Sequence, residues 1–275
     1  MGTLYIVGTP IGNLEDISAR ALRILKEADL IAAEDTRRTR KLLTHFEIST
    51  ALTSYFEHNK LSKLDIILAA LQNGNVALVS DGGMPGISDP GYELINAAIE
   101  TGHKVTPVPG PSAIATALVA SGLPTDAFVF LGFLPRRSAA RRALLVENVN
   151  DRRTLIAFES PHRLQDALHD IATELGNRKI AIARELTKLH EEIFRGNVQE
   201  AREHFSPSEA RGEITLVIAG AAPDEIETWT ETQVRSALSE SIAAGASPTT
   251  AAKKIANKSG WPRRSVYRLA VETTK

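Results

Sequence analysis

Carboxylates, glycines and arginines gather at a few places in this chain, each directly after an apolar run of strand length. The densest is Asp81-Gly82-Gly83-Met84-Pro85-Gly86-Ile87-Ser88-Asp89-Pro90-Gly91, which follows Val76-Ala77-Leu78-Val79. Glycine permits positive φ and close backbone approach to a ligand, and proline stiffens the loop. Such a loop offers a ligand shape and backbone N–H and C=O groups rather than reactive side chains. Gly8 to Asn13 and Pro109-Gly110-Pro111-Ser112 have the same character. Glu34, Asp35, Glu159 and Glu185 stand at further strand ends, with His162 near Glu159. These residue types serve general acid–base chemistry. Arg37, Arg163 and Arg184 lie beside them, so a structural ion pair is the competing reading for each carboxylate taken singly. Asp89 and Pro90, taken alone, read as the cap and first turn of the next helix.

Several chemistries are excluded. The chain has no cysteine, which removes disulfides, zinc–thiolate sites, iron–sulfur clusters and thiol catalysis. No metal site is expected. Neither G-x-G-x-x-G nor G-x-x-x-x-G-K-[ST] occurs, which argues against a standard dinucleotide fold and a P-loop nucleotidase. Among the 275 residues, 43% are hydrophobic and 24% charged, an ordinary globular composition with room for two modest domains. No apolar run approaches the roughly 20 residues that span a bilayer. The start, Met1 to Val7, lacks a basic leader and runs straight into a strand, so a cytoplasmic protein is expected. A formal net charge of −1 means that a polyanion must be held by a local patch.

The elements that position these groups alternate. Strands are predicted at Leu4–Val7, Leu30–Ala33, Val76–Val79 and Lys104–Val108. Helices are predicted at Asp16–Ala28, Leu61–Asn73, Tyr92–Glu100 and Ala113–Ser121. This is the pattern of a parallel α/β sheet, whose strand carboxyl ends share one edge, so the Gly/Pro loops could converge on one pocket. The pattern restarts near Leu123, with strands at Phe128–Phe130, Thr154–Phe158, Lys179–Ala183 and Ile214–Ala219 and a helix from Leu164 to Leu175. Arg136, Arg137, Arg141 and Arg142 form a basic cluster there. The expected domains are 1–122 and 123–222, followed by a helical tail, 223–275, with helices at Val234–Ala244, Pro248–Asn257 and Arg263–Val271. The tail has helix–turn–helix proportions and is basic at Lys253, Lys254, Lys258, Arg263, Arg264 and Arg268. It reads equally well as a nucleic-acid-binding element or as helices that only pack on the body.

Seven segments in order carry a resemblance. They are Gly8 to Asn13, Ala33-Glu34-Asp35-Thr36-Arg37, Asp81 to Gly91, Pro109 to Ser112, Gly132-Phe133-Leu134-Pro135, Glu159-Ser160-Pro161-His162-Arg163 and Arg184-Glu185-Leu186-Thr187-Lys188. Together they resemble the tetrapyrrole-methylase (class III) family of S-adenosylmethionine-dependent methyltransferases, in its ribosomal-RNA-modifying branch. The resemblance implies two α/β domains with S-adenosylmethionine in the cleft between them, and a homodimer. It also implies 2'-O-methylation of a cytidine in the decoding region of 16S ribosomal RNA within the small ribosomal subunit. Cofactor contacts would come from Thr9, Pro10 and Gly12, from Asp81, Gly82, Gly83, Met84, Pro85 and Ile87, from Gly110, Ser112 and Ala113, and from Phe133. This branch usually has Gly-Thr-Pro where Gly83-Met84-Pro85 stands, so contacts near Met84 are expected from backbone or packing.

A ribose hydroxyl is a weak acid, so a base or positioning acceptor should help; Glu159, Glu185, Asp35 and His162 are the candidates, with Glu34 beside them. Arg37, Arg38, Arg136 and Arg137 are candidate phosphate contacts, whereas Arg40 and Lys41 could be a solvated helix face. Aromatics are 5% of residues, so recognition should lean on phosphates and shape rather than base stacking. Two other readings stay open: a carbon methyltransferase acting on a tetrapyrrole such as uroporphyrinogen, and a non-enzymatic RNA-binding module. Intact loops at three strand ends argue against the second.

Overall fold

The structure is a computed structural model that describes residues 2–205, 212–222 and 229–273, the side chain of Lys60 excepted. The chain divides into two compact units, one of residues 1–116 with 185–191 and one of residues 117–184 with 192–275. The division falls six residues before the expected boundary, inside a helix, and returns one short loop to the first unit.

The first unit contains strands β1 (Thr3–Val7), β2 (Leu30–Ala33), β3 (Leu52–Ser54), β4 (Val76–Val79) and β5 (Lys104–Val108). Its helices are α1 (Ala19–Glu27), α2 (Thr36–His45), α3 (Lys60–Asn73), α4 (Tyr92–Glu100) and the start of α5 (Ala113–Ser121). The sheet order is β3-β2-β4-β1-β5, and every pair is parallel. Successive strand side chains go to opposite faces. Val7, Ala33, Ala77 and Val79 therefore pack with Ile24 and Leu25 of α1 and Leu43 of α2. Leu4, Ile6, Val76 and Leu78 pack with Ile67 and Leu71 of α3 and Leu94 of α4. Both faces are covered, which is why these strands read as continuous apolar runs.

The helix caps depart from the sequence reading in one place. Ser18 caps α1, which begins three residues later than the predicted Asp16, and accepts the Ala21 amide at 3.0 Å. The N-cap of α4 is Gly91, without a side-chain cap, so Asp89 does not take that role.

The second unit contains β6 (Phe128–Phe133), α6 (Ser138–Glu147), β7 (Thr154–Glu159), α7 (Leu164–Leu175), β8 (Lys179–Arg184), β9 (Glu192–Asn197), α8 (Val198–Phe205) and β10 (Ile214–Ile218). Its sheet order is β6-β7-β10-β8-β9, and only β6 and β7 run parallel. The alternation thus continues without a second all-parallel sheet. No helix joins β8 to β9, and antiparallel strands need no crossover. Leu145, Leu155, Leu168, Ile182, Val198 and Leu216 belong to its core.

Helices α9 (Glu231–Ala243), α10 (Pro248–Ser259) and α11 (Arg263–Thr273) form the tail. Their own core joins Val234, Leu238, Ile255, Val266 and Leu269. Asn150 donates a hydrogen bond to the Asn257 carbonyl, tying α10 to the body of the second unit. Residues 223–228, where the helical tail was expected to begin, lie outside the described residues. No helix among the described residues is long and apolar enough to cross a membrane.

Candidate active site

All five strands of the first sheet end on one edge, and three Gly/Pro loops meet there. The Thr9 amide donates to the Gly83 carbonyl at 3.0 Å, and the Gly83 amide donates back to the Thr9 carbonyl at 2.9 Å. The Thr9 hydroxyl donates to the Ser80 carbonyl at 3.2 Å. Gly8 lies so close to Gly110 that a Cβ on Gly110 would come 2.7 Å from the Gly8 Cα. Gly83 has φ +89°, a conformation that suits glycine. The Met84 thioether packs against Gly8, where a Cβ would meet Sδ at 2.7 Å. The Ser112 carbonyl accepts the Thr116 amide at 2.9 Å at the start of α5.

Beside these loops lies a carboxylate network. Glu34 Oε2 accepts the Asp81 amide at 3.2 Å, and Asp81 Oδ1 accepts the Asp35 amide at 3.1 Å. Arg38 Nη1 reaches Asp81 Oδ2 at 3.1 Å. Asp35 caps α2 through the Arg37 amide at 2.8 Å and also holds the Arg37 guanidinium at 2.8 Å. Burial pushes Glu34 above the usual carboxylate range, and the neighbouring charges of Asp89 and Asp81 add to it. Asp35 is pulled far below that range, first by its hydrogen bonds from Arg37. Two adjacent carboxylates are thus driven apart by their surroundings, one toward accepting a proton and one toward permanent charge.

The loop 185–191 packs on the β1 loop. A Cβ on Gly12 would lie 2.5 Å from Lys188 Cγ and 2.7 Å from Thr187 Oγ1. Glu185 and Thr187 have positive φ, +52° and +65°. Glu185 pairs with Lys188 at 2.8 Å, and the Thr187 amide donates to Glu191 at 2.6 Å.

The remaining candidates belong to the second unit. Glu159 is 1% exposed. Its Oε1 takes the Arg163 guanidinium at 2.5 Å and the Ser160 amide at 2.6 Å. Burial pushes Glu159 up, against the lowering pull of Ser160 and Arg163. His162 is exposed on the turn that follows. Phe133 is 56% exposed, with its ring edge-to-face with Phe158 at 5.3 Å. Arg136 and Arg137 are exposed at the start of α6. The arginine cluster itself splits. Arg141 is buried against Asp170 at 2.6 Å, and Arg142 pairs with Glu174 at 2.5 Å, so both fasten α6 to α7.

The donor set suits S-adenosylmethionine, which presents an amino acid, a ribose diol and an adenine. The glycines of the three loops bring the backbone close, and Asp81 and Ser112 offer a carboxylate and a hydroxyl on the same sheet edge. The sequence reading missed Ser80, whose buried Oγ has no hydrogen-bond partner among the described residues, and the like case of Thr187 Oγ1. Ser80 adjoins a motif residue and Thr187 lies within a motif, but neither is distinguishable by type from an ordinary loop hydroxyl. It also missed Lys188 as the contact that seats the 185–191 loop on Gly12.

A family-wide sequence profile described as "Tetrapyrrole (Corrin/Porphyrin) Methylases" matches residues 3–202. The chain belongs to the tetrapyrrole methylase family. Its relatives there are named as methyltransferases, and that is the enzyme class of this chain. A protein of Halalkalibacterium halodurans named "Ribosomal RNA small subunit methyltransferase I" is 49% identical over 273 residues, 98% of this chain and 94% of the relative. One of the same name from Synechocystis is 47% identical, covering 99% of this chain and 98% of the relative. Another, from Thermotoga maritima, is 52% identical over 80% of this chain and 99% of the relative. The tetrapyrrole methylase fold recurs in a diphthine synthase at TM-score 0.63 and 15% identity, covering 98% of this chain and 100% of that one. It recurs in uroporphyrin-III-C-methyltransferase from Thermus thermophilus at TM-score 0.56 and 20% identity, covering 80% of this chain and 94% of that one.

Proposed function

We propose that this methyltransferase moves a methyl group from S-adenosylmethionine to the ribose 2'-hydroxyl of a cytidine in the decoding region of 16S ribosomal RNA. The observation that carries the reading is the 49% identity, over 98% of the chain, to a relative named for methylation of small-subunit ribosomal RNA. When bound, S-adenosylmethionine supplies an electrophilic methyl group. The loops at Thr9, Gly83 and Gly110 would hold and orient it through backbone groups, and Asp81 and Ser112 would fix its polar ends. The hydroxyl proton displaced on methylation would pass to a carboxylate of this chain. Glu34 is the first choice among those on the sheet edge, because its surroundings favour the protonated form. Asp35 is committed to Arg37, and Glu159 to Arg163. His162 is the next candidate, followed by Glu185, which is paired with Lys188. Positioning supplies much of the acceleration, up to roughly 7–11 kcal/mol in favourable cases. The homodimer implied by the family resemblance is part of the proposal, and sedimentation of the purified protein tests it.

The deciding assay offers labelled S-adenosylmethionine with small ribosomal subunits, naked 16S ribosomal RNA and uroporphyrinogen. Label should enter RNA. Alkaline hydrolysis then locates it, since a 2'-O-methyl group blocks cleavage of the adjoining phosphodiester. Label only in the macrocycle would replace this reading by carbon methylation. RNA binding without transfer to any acceptor would favour a binding module.

A further inference from the structure

An open surface depression of about 770 Å³, hereafter the groove, lies along the exposed side of α2, lined by Thr36, Arg37, Arg40, Lys41, Thr44 and His45. These residues form two adjacent rows at helical i, i+4 spacing, 36-40-44 and 37-41-45. We infer that this groove is a docking site for the phosphodiester backbone of the RNA substrate, with Arg40 and Lys41 as its principal contacts. The inference rests on the RNA reading above and names the surface that reading leaves open.

Charge decides which residues are available. Arg37 and Arg38, nearest the sheet edge, are already paired with Asp35 and Asp81. Arg40 and Lys41 are exposed and have no ion-pair partner among the described residues. No carboxylate lines the groove, although the whole chain carries a net charge of −1. A polyanion would supply the counter-charge that this lining lacks.

Geometry agrees with a phosphate chain. From Thr36 to Thr44 the helix rises about 12 Å, long enough to follow more than one phosphate of a single RNA strand. Thr36 and Thr44 add hydroxyl donors at the two ends. The only ring in the lining is His45, held edge-to-face against Phe46 at 4.7 Å, so the groove has no platform for stacking successive bases. The opposite side of α2 is anchored by buried Thr39 and Leu43, and its first turn by Asp35. The groove is therefore part of a fixed element separated from β2 by only Glu34 and Asp35, on the sheet edge that carries the Gly/Pro loops.

The test uses the full-length protein and its Arg40→Gln, Lys41→Gln double variant. Filter binding is measured with a 16S ribosomal RNA transcript and with small ribosomal subunits over a salt series. The double variant should bind both about tenfold more weakly near physiological salt. Its salt slope should be shallower by about 1.4, the value for two single-strand phosphate contacts. Affinity for S-adenosylmethionine should be unchanged by calorimetry, and Arg40→Lys with Lys41→Arg should restore binding. An unchanged slope and affinity, in a protein whose wild type binds and methylates RNA, would overturn the groove while leaving the function intact. Loss of subunit binding with naked RNA binding intact would assign the face to a ribosomal protein and also overturn it. A wild type that neither binds nor methylates RNA would instead sink the functional reading.

Discussion

Thr9 and Gly83 exchange backbone hydrogen bonds at 3.0 and 2.9 Å, which locks the loop after β1 to the loop after β4. The neighbouring approach of Gly8 to Gly110 brings in the loop after β5. Two glycine substitutions probe this junction in different ways. At Gly83 a Cβ meets nothing closer than 3.7 Å, so the cost of Gly83→Ala is its φ of +89°, about 1–2 kcal/mol. At Gly110 a Cβ would lie 2.7 Å from Gly8 Cα, so Gly110→Ala forces the β1 and β5 loops apart. Gly110→Ala should weaken S-adenosylmethionine binding at least tenfold, and more than Gly83→Ala does. Calorimetry that finds wild-type affinity in folded Gly110→Ala would remove this junction from the cofactor site.

Arg141 and Asp170 are a buried pair, with the Ser138 hydroxyl also bonded to the carboxylate at 3.0 Å. Arg141→Met leaves a buried carboxylate without its cation and should cost about 3–5 kcal/mol. Arg141→Met with Asp170→Leu removes both charges and should recover most of that loss. Urea unfolding measures both variants. A loss under about 1 kcal/mol in the single variant would mean that water reaches the pair.

Glu159 gives stability a pH signature. Its folded pKa is raised, so the native state keeps the proton to higher pH than the unfolded chain, whose value is near 4.5. The contribution is complete below that value and is lost as pH rises through the folded pKa. The difference in unfolding free energy between wild type and Glu159→Gln should therefore fall as pH rises from about 4.5. Denaturant titrations at several pH values follow it. A difference that grows with pH would show that Arg163 outweighs burial.

Turnover should respond to Glu34. Glu34→Gln should lower the single-turnover rate by about 10²–10⁴-fold, the usual range for a proton-transfer group. It should leave both binding constants nearly unchanged. In the wild type the acid limb of the rate profile should lie above the ordinary glutamate range, because burial and Asp89 raise Glu34. A normal rate in Glu34→Gln would move the proton acceptor elsewhere, with Glu185→Gln and His162→Gln the next variants to measure.

Elements with a clean apolar period were legible from the residues. Val76–Val79, Lys104–Val108, Tyr92–Glu100 and Leu164–Leu175 fall where the sequence places them. Elements whose pattern is masked by charge were not. Thr36–His45 is assigned no bounds in the sequence reading, and its basic cluster reads only as a possible solvated helix face, because only Thr39 and Leu43 of its ten residues are buried. Glu192–Asn197 sits at the sheet edge with a polar sequence, and no strand is legible there.

The sequence by itself determined the family, through seven ordered motifs, and the parallel first sheet, through alternating strand and helix signals with backbone-rich loops at strand ends. Those are local properties: periodicity, turn chemistry and motif order survive in a linear reading. Only the tertiary structure decided which charges are already spent. Arg141 and Asp170 are 29 residues apart, and Asp81 lies 46 residues from the Asp35 amide that it accepts. An arginine's availability depends on whether a carboxylate lies within about 4 Å, a distance set by the packing of distant segments. That is why the chain alone offered Arg37 and Arg38 as phosphate contacts and Arg40 as a possible solvated face, whereas the fold pairs the first two with carboxylates, and why the face of α2 emerges only when the fold is complete.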